Sequence, residues 1–334
     1  MTRTIEYKFR PRLLAAASVA GKKEGDGPLG PLFDQIEPDD LFGQDSWEKA
    51  ESAMLIRTVN LALEKGGVTA KSIGAVLMGD LLNQIVASSF AARELGSPFI
   101  GLYGACSTMI EGILIGGALV DAGYIDNCVC AASSHFCSAE RQYRFPLELG
   151  NQRPPSAQWT TTAAGAVVMD RQDGNCMARL THATIGRVVD YSIKDVNHMG
   201  AAMAPAVADT LTAHFSDTGR SHEDYDLIVT GDLGIVGRKI FCELISKRGF
   251  NIPEDKIFDC GANMFYPEQD TQSGGSGCGC IASVLAAKIL PMLNRGEAKR
   301  VLAIGSGAML SPTSSGQGES IPGIAYGAAL EAER

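Results

Sequence analysis

The residue types best suited to chemistry in this chain gather around one cysteine. Cys106 stands in Gly104-Ala105-Cys106-Ser107-Thr108, after a predicted strand over 98–103 and before a predicted helix over 107–122. A thiol in that position meets unpaired backbone N–H groups and the positive end of a helix dipole, which lower its pKa and offer it to a ligand. A free cysteine is as often a small buried hydrophobe, so the position alone decides little. To act as a nucleophile it needs a neighbouring base and an electrophilic donor. The five histidines are His135, His182, His198, His214 and His222. Of these only His135, just past the strand after the Cys106 helix, is placed to reach the thiol. The strand Leu227-Ile228-Val229 ends in Thr230-Gly231-Asp232, where a carboxylate disfavours a thiolate and cannot donate a hydrogen bond unless protonated.

The elements that position these groups occur twice. Leu77-Met78-Gly79-Asp80-Leu81 recurs as Val229-Thr230-Gly231-Asp232-Leu233 at an offset of 152, and Gly104-Ala105-Cys106-Ser107 answers to Ser276-Gly277-Cys278-Gly279 at 172. Ala164-Gly165-Ala166 matches Tyr326-Gly327-Ala328 at 162. A drifting offset reads as loop insertions between shared elements, hence a fused pseudo-dimer with halves at 1–172 and 173–334. Only the first half is read as presenting a nucleophile. Strand and helix signals alternate throughout, so the class is α/β with helices on both faces of largely parallel sheets. A helix opens at Asp45 and Glu48 and closes at Gly66-Gly67; another runs through Phe90 and Leu95 to Gly96. The helix after Cys106 is so rich in Gly and Ala that it must pack tightly on all sides. In the second half a buried helix is expected from Cys280 to Leu293. The stretch from His135 to Thr162 reads as a long irregular insert that builds a site or an interface.

Composition narrows the classes. With 45% apolar and 20% charged residues in 334, the chain has the make-up of a globular α/β protein. A net charge of −9 without a basic cluster argues against a nucleic-acid partner. Nine cysteines, an odd number, disfavour a complete disulfide framework, and Cys128/Cys130 and Cys278/Cys280 lack the spacing of a zinc site. A reducing compartment is expected. The run Leu13 to Ala20 is short and has Glu6 in its basic flank, so it reads as a first buried strand rather than a secretory leader. No stretch approaches the roughly 20 apolar residues of a spanning helix.

Whole-chain organisation resembles the thiolase-like superfamily, which includes thiolases and 3-oxoacyl synthase III enzymes. That resemblance implies a thiolase-like fold: two βαβαβαββ halves in αβαβα layers, with Cys106 at the nucleophile position. The superfamily's histidine and further His or Asn are missing from the matching loops, including Gly274-Gly275-Ser276-Gly277-Cys278. An active acyl-condensing enzyme would therefore need His135 or an unrecognised base. A closer set of loop matches comprises Asp26 to Gly30, Gly79 to Gln84, Gly104 to Thr108, Ser133-Ser134-His135, Ala139 to Gln142, Met203 to Ala206, Tyr225 to Leu233, Gly274 to Cys278 and Leu310 to Thr313. These resemble the stage V sporulation protein AD family of endospore-forming bacteria. Loop motifs are informative because core packing does not dictate them.

The resemblance implies a non-enzymatic protein that binds pyridine-2,6-dicarboxylic acid (dipicolinic acid) and its calcium chelate. It would serve uptake into the developing spore and release at germination, with no resident cofactor. It further implies a peripheral place at the spore inner membrane beside membrane proteins of the stage V sporulation A group, and a homodimer joined through 98–103. The expected ligand pocket is the former acyl site. Cys106, Ser107 and Thr108 offer a helix start to one carboxylate. Arg141 and Arg144 either fork onto the other or pair on the surface with Glu140 or Glu148. Asn83 and Gln84 either bind ligand or cap the next helix. His135, Asp232, Ser276 and Cys278 complete the expected lining. Asp80 and Asp232 read first as satisfying loop N–H groups, with contact to ligand-bound calcium as the sharper alternative for one of them.

Overall fold

The computed structural model describes residues 2–143 and 152–333. The first half contributes β1 (Arg12–Gly21), β2 (Ala75–Gly79), β3 (Phe99–Gly101), β4 (Asn127–Ser134) and β5 (Ala163–Asp170). The second contributes β6 (Ala178–Thr184), β7 (Leu227–Thr230), β8 (Ile257–Asp259), β9 (Arg300–Ala308) and β10 (Gly323–Glu331). Both halves adopt one strand order. It is β1-β5-β4-β2-β3 in the first and β6-β10-β9-β7-β8 in the second, with β5 and β10 antiparallel to their neighbours. A short antiparallel contact, Arg12 with Arg179 and Leu13 with Ala178, joins them.

Period-two burial on both faces stacks the layers. Along β4, Cys128, Cys130 and Ala132 belong to the central apolar cluster, whereas Val129 and Ala131 face the other way. Val301 and Ala303 of β9 likewise look inward, and Leu302 and Ile304 outward. Strands covered on both faces carry apolar residues at nearly every position, which explains their continuous rather than alternating pattern. Helices α1 (Trp47–Gly66) and α2 (Val86–Leu95) cover the outer face of the first sheet. Between the sheets lies α3 (Thr108–Asp121). The insert opens with α4 (Phe136–Tyr143). The outer face of the second sheet is covered by α5 (Met199–Thr218) and α6 (Gly234–Lys247). The second central helix begins as α7 (Cys278–Val284). The result is the five-layer α/β arrangement expected of the chain.

Local chemistry explains most element ends. Ser46, not Asp45, caps α1: its hydroxyl accepts from the Lys49 N–H, while Asp45 pairs with the Lys49 ammonium. Gly67 ends the helix at φ 64°, and α5 keeps the offset of 152 down to its own terminal Gly219 at φ 67°. The buried helix expected at Cys280 to Leu293 starts at Cys278 and widens to a π turn over Leu285–Ile289 before Leu290–Asn294. Pro291 lacks the N–H that Ala287 would accept and its ring crowds that carbonyl, so the turn opens. The insert is also less irregular than expected. Besides α4, its residues Trp159–Thr160 pair in parallel with Gly275–Ser276. Cysteine pairs need no bonds: all nine are free thiols, and Gly116 of α3 leaves room for two of them. A Cβ at Gly116 would stand 2.9 and 3.0 Å from the sulfurs of Cys128 and Cys130.

Candidate functional site

Cys106 is held by an elbow between β3 and α3. Ala105 takes a left-handed conformation, φ 50°, and a 3-10 turn over Ala105–Ser107 leads into the helix. Three side chains fasten this turn. The Ser107 hydroxyl donates to the Gly104 carbonyl at 2.6 Å, the Thr108 hydroxyl to the Ala105 carbonyl at 2.7 Å, and the Cys278 thiol to the same carbonyl at 3.0 Å. These three residues, expected to line the pocket, therefore shape it from behind.

Cys106 is buried, and its Sγ lies 4.0 Å from the Ser276 hydroxyl. Ser276 in turn donates to Asp232 Oδ2 at 3.1 Å. Asp232 also accepts from the Gly277 N–H at 3.0 Å and the Ser306 hydroxyl at 3.1 Å. The cysteine, aspartate and serine thus meet as the sequence reading placed them. Burial, opposed in part by these hydrogen bonds, lifts the Asp232 carboxyl to about 6. Burial and the Asp232 charge together push the Cys106 thiol well above its ordinary value. The helix start does not lower it, contrary to the expectation from position alone.

The cavity in front of Cys106 has a volume of about 280 Å3. Its walls include Asn83, Tyr103, Gln142, Ser276, Met309 and Leu310, and among its described lining residues there is no lysine, arginine or histidine. A wider groove of about 540 Å3 runs between α1 and α2, lined by side chains such as Ile56, Phe90 and Arg93, but it holds neither a thiol nor a buried carboxylate.

Several expected residues lie elsewhere. His135 is fixed away from the thiol: its Nε2 donates to the Asp40 carbonyl at 2.7 Å and its Nδ1 accepts from the Cys137 N–H at 3.2 Å. Burial lowers its pKa, so the ring is neutral and engaged at both nitrogens. Arg141 pairs with Glu48 and covers the Trp47 ring at 5.6 Å; it does not reach the cavity. Its described partner is Glu48 rather than Glu140, because α4 lies against the start of α1, and Glu148 lies outside the described residues. Arg144 lies outside the described residues. Gln84 is an exposed turn residue at φ 56° and does not line the cavity, although Asn83 does.

Asp80 and Asp232 diverge despite their matching positions. Asp80 accepts from the N–H of Leu82 and from both the N–H and hydroxyl of Ser88, which fastens the turn into α2. In the second half Asp259 takes over that task, accepting from the N–H groups of Leu233 and Gly234. Asp232 is thereby released to face Cys106. The oxygens of both Asp80 and Asp232 are occupied by protein donors. Among the described residues no group of three or more His, Cys, Asp or Glu could hold a metal ion. Sequence reasoning missed Tyr103, Gln142 and Met309 as lining residues. The signal was there for Gln142, which closes the loop motif Ala139 to Gln142.

The fold finds counterparts in solved structures. Human mitochondrial 3-ketoacyl-CoA thiolase in complex with CoA aligns with a TM-score of 0.62 at 13% identity, covering 100% of both chains. A single-residue variant of OleA from Xanthomonas campestris gives 0.62 at 15%, covering 98% of this chain and 99% of that one. For 3-oxoacyl-[acyl-carrier-protein] synthase III from Aquifex aeolicus the values are 0.58 and 12%, over 96% and 99%. At such identities the likeness establishes the thiolase-like fold. Sequence relationship goes further. Stage V sporulation protein AD of Bacillus subtilis (strain 168) is 44% identical over 317 residues, covering 95% of this chain and 93% of that protein. The family model described as stage V sporulation protein AD (SpoVAD) matches residues 1–331. With a thiolase-like architecture and a close relative along almost its full length, the chain belongs to the stage V sporulation protein AD family.

Proposed function

We propose that this chain is a non-enzymatic binding protein for dipicolinic acid and, with preference, for its calcium chelate. It takes the ligand into the cavity before Cys106 and serves its passage into the developing spore and its release at germination. It works at the spore inner membrane beside membrane proteins of the same sporulation group, and as a homodimer joined along β3. Among the described residues no helix is long and apolar enough to cross a membrane, so the proposed membrane association is peripheral.

The observation that carries this reading is the floor of the cavity. A protonated thiol sits beside a carboxylate, His135 is tied elsewhere, and no basic side chain is among the described lining residues. Thiol-based acyl transfer needs a base to take the thiol proton and a donor for the developing oxyanion. Asp232 repels the thiolate it would have to create, and Ser276 points its proton at Asp232. A volume of about 280 Å3 suits one small aromatic ligand. Without a cation among the described lining residues, and with a net charge of −9, a free dianion is repelled where a nearly neutral chelate is not.

Calorimetric titration tests it: dipicolinate should bind more tightly with calcium than without, and picolinate or benzoate should bind far more weakly. Equal affinity for benzoate would refute a diacid site. The enzymatic alternative is tested by incubation with acetyl-CoA. The proposal expects no acyl group on Cys106, and an acyl adduct lost in Cys106→Ala would overturn it.

A further inference from the structure

We propose that Gln142, a residue of the insert helix α4, is the side chain that reads a ligand carboxylate in the Cys106 cavity; this rests on the binding function proposed above. A primary amide carries one acceptor oxygen and two N–H donors. In Gln142 the oxygen is engaged: Oε1 accepts from the backbone N–H of Asn83 at 3.0 Å. That contact fixes which way the amide is turned, because its nitrogen could not accept from an N–H. Nε2 has no hydrogen-bond partner among the described residues, and the residue forms part of the cavity wall.

The other polar groups of the wall are already oriented. The Ser276 hydroxyl donates to Asp232 and the Tyr103 hydroxyl turns to the Leu81 carbonyl, while the Ser311 hydroxyl accepts from the Thr313 N–H and keeps its own proton. Amide donors for an anion are therefore concentrated where α4 meets the turn after β2, at Gln142 with the Asn83 side-chain amide beside it, and the Ser311 hydroxyl is the other unengaged donor of the described wall. This lies on the wall, away from the acidic floor at Asp232. A flat diacid entering the cavity gains most by turning one carboxylate to that wall, leaving its ring over Cys106 and against Tyr103 and Met309. A neutral amide also suits a chelate, since it binds carboxylate oxygens without competing for the metal as a carboxylate would. The geometry thus gives the insert a specificity role that Arg141, paired with Glu48, does not fill.

Two substitutions separate reading a carboxylate from merely fastening the turn. Gln142→Glu keeps an acceptor for the Asn83 N–H but removes the donor, whereas Gln142→Leu removes both. Each is titrated with dipicolinate in the calcium condition that wild type binds best, and thermal melts verify the fold. Loss of a hydrogen bond to a charged acceptor predicts that both variants weaken binding by about tenfold or more. If Gln142→Glu binds as well as wild type or better, Gln142 is only a fastener and the inference fails while the binding function stands. If wild type itself binds no dipicolinate with or without calcium, the binding function fails first.

Discussion

At Cys106 two influences act in one direction: burial penalises the thiolate, and Asp232 repels it. Iodoacetamide should therefore alkylate Cys106 slowly at pH 8, and bound calcium dipicolinate should slow it further. Peptide mass mapping reads this, and rapid unprotected labelling would contradict it. Asp232 sets a second expectation. Its folded-state value of about 6 lies above the 3.8 of an ordinary aspartate, so its burial costs nothing only below about pH 4, where both folded and unfolded chains hold the proton. As pH rises from there to about 6 the unfolded chain ionises first, and burial together with the Asp259 charge makes the folded state lose stability by the difference. Asp232→Asn should raise stability by about 1 kcal/mol at pH 8, discounted from the full shift for lost acceptor geometry, and by little at about pH 3.5. Urea unfolding at both values checks the sign; a variant less stable at pH 8 would oppose this account. The same substitution should tighten binding of calcium-free dipicolinate at pH 8 by removing a repelling charge.

Packing between elements rests on backbone approaches that tolerate no side chain. A Cβ at Gly165 of β5 would stand 2.0 Å from the Ala282 carbonyl oxygen of α7, and one at Gly279 2.0 Å from the Ala163 carbonyl oxygen. Gly165→Ala should cost roughly 2 kcal/mol, because the central helix must back away from the strand. An unchanged denaturation midpoint would show that the layers can slide apart freely. These elements were legible in the sequence where apolar runs met clear stops, as at Gly67 and Gly96, whereas α5 with its stop at Gly219 was not read. Helix α4 was not. Its inward residues are Ser138, Ala139 and Glu140, and Ser138 donates to Glu51 at 2.7 Å while Glu140 accepts from Thr160 at 2.7 Å. A helix buried through polar partners far away in sequence shows no apolar period. The same distance effect hid the Arg141–Glu48 pair, whereas Cys106, Asp232 and Ser276 were visible because duplicated glycine-rich loops mark strand ends.

For the whole molecule, duplication explains why one half can lose a task and keep its shape. Asp259 holds the loop that Asp80 holds in the first half, which leaves Asp232 free to set the character of the cavity. Among the described residues strand β3 ends the first half's sheet with one side unpaired, and Phe99 and Ile100 on it are half-buried. A second copy adding its own β3 would satisfy those backbone groups. Residues 98 and 102 bond to β2, so the N–H of Phe99 faces the open edge; Phe99→Pro should then shift the protein from dimer to monomer in light scattering, and an unshifted mass would move the interface elsewhere. The central claim is that the cavity before Cys106 binds a heteroaromatic diacid and performs no acyl chemistry on it. The most direct test is calorimetric titration of calcium dipicolinate into wild type and into Ala308→Phe, which fills the cavity wall beside Cys106. The account predicts saturable binding at one site per chain in wild type, lost in the filled variant. Binding that is absent from wild type, or undiminished in a folded Ala308→Phe, would contradict it.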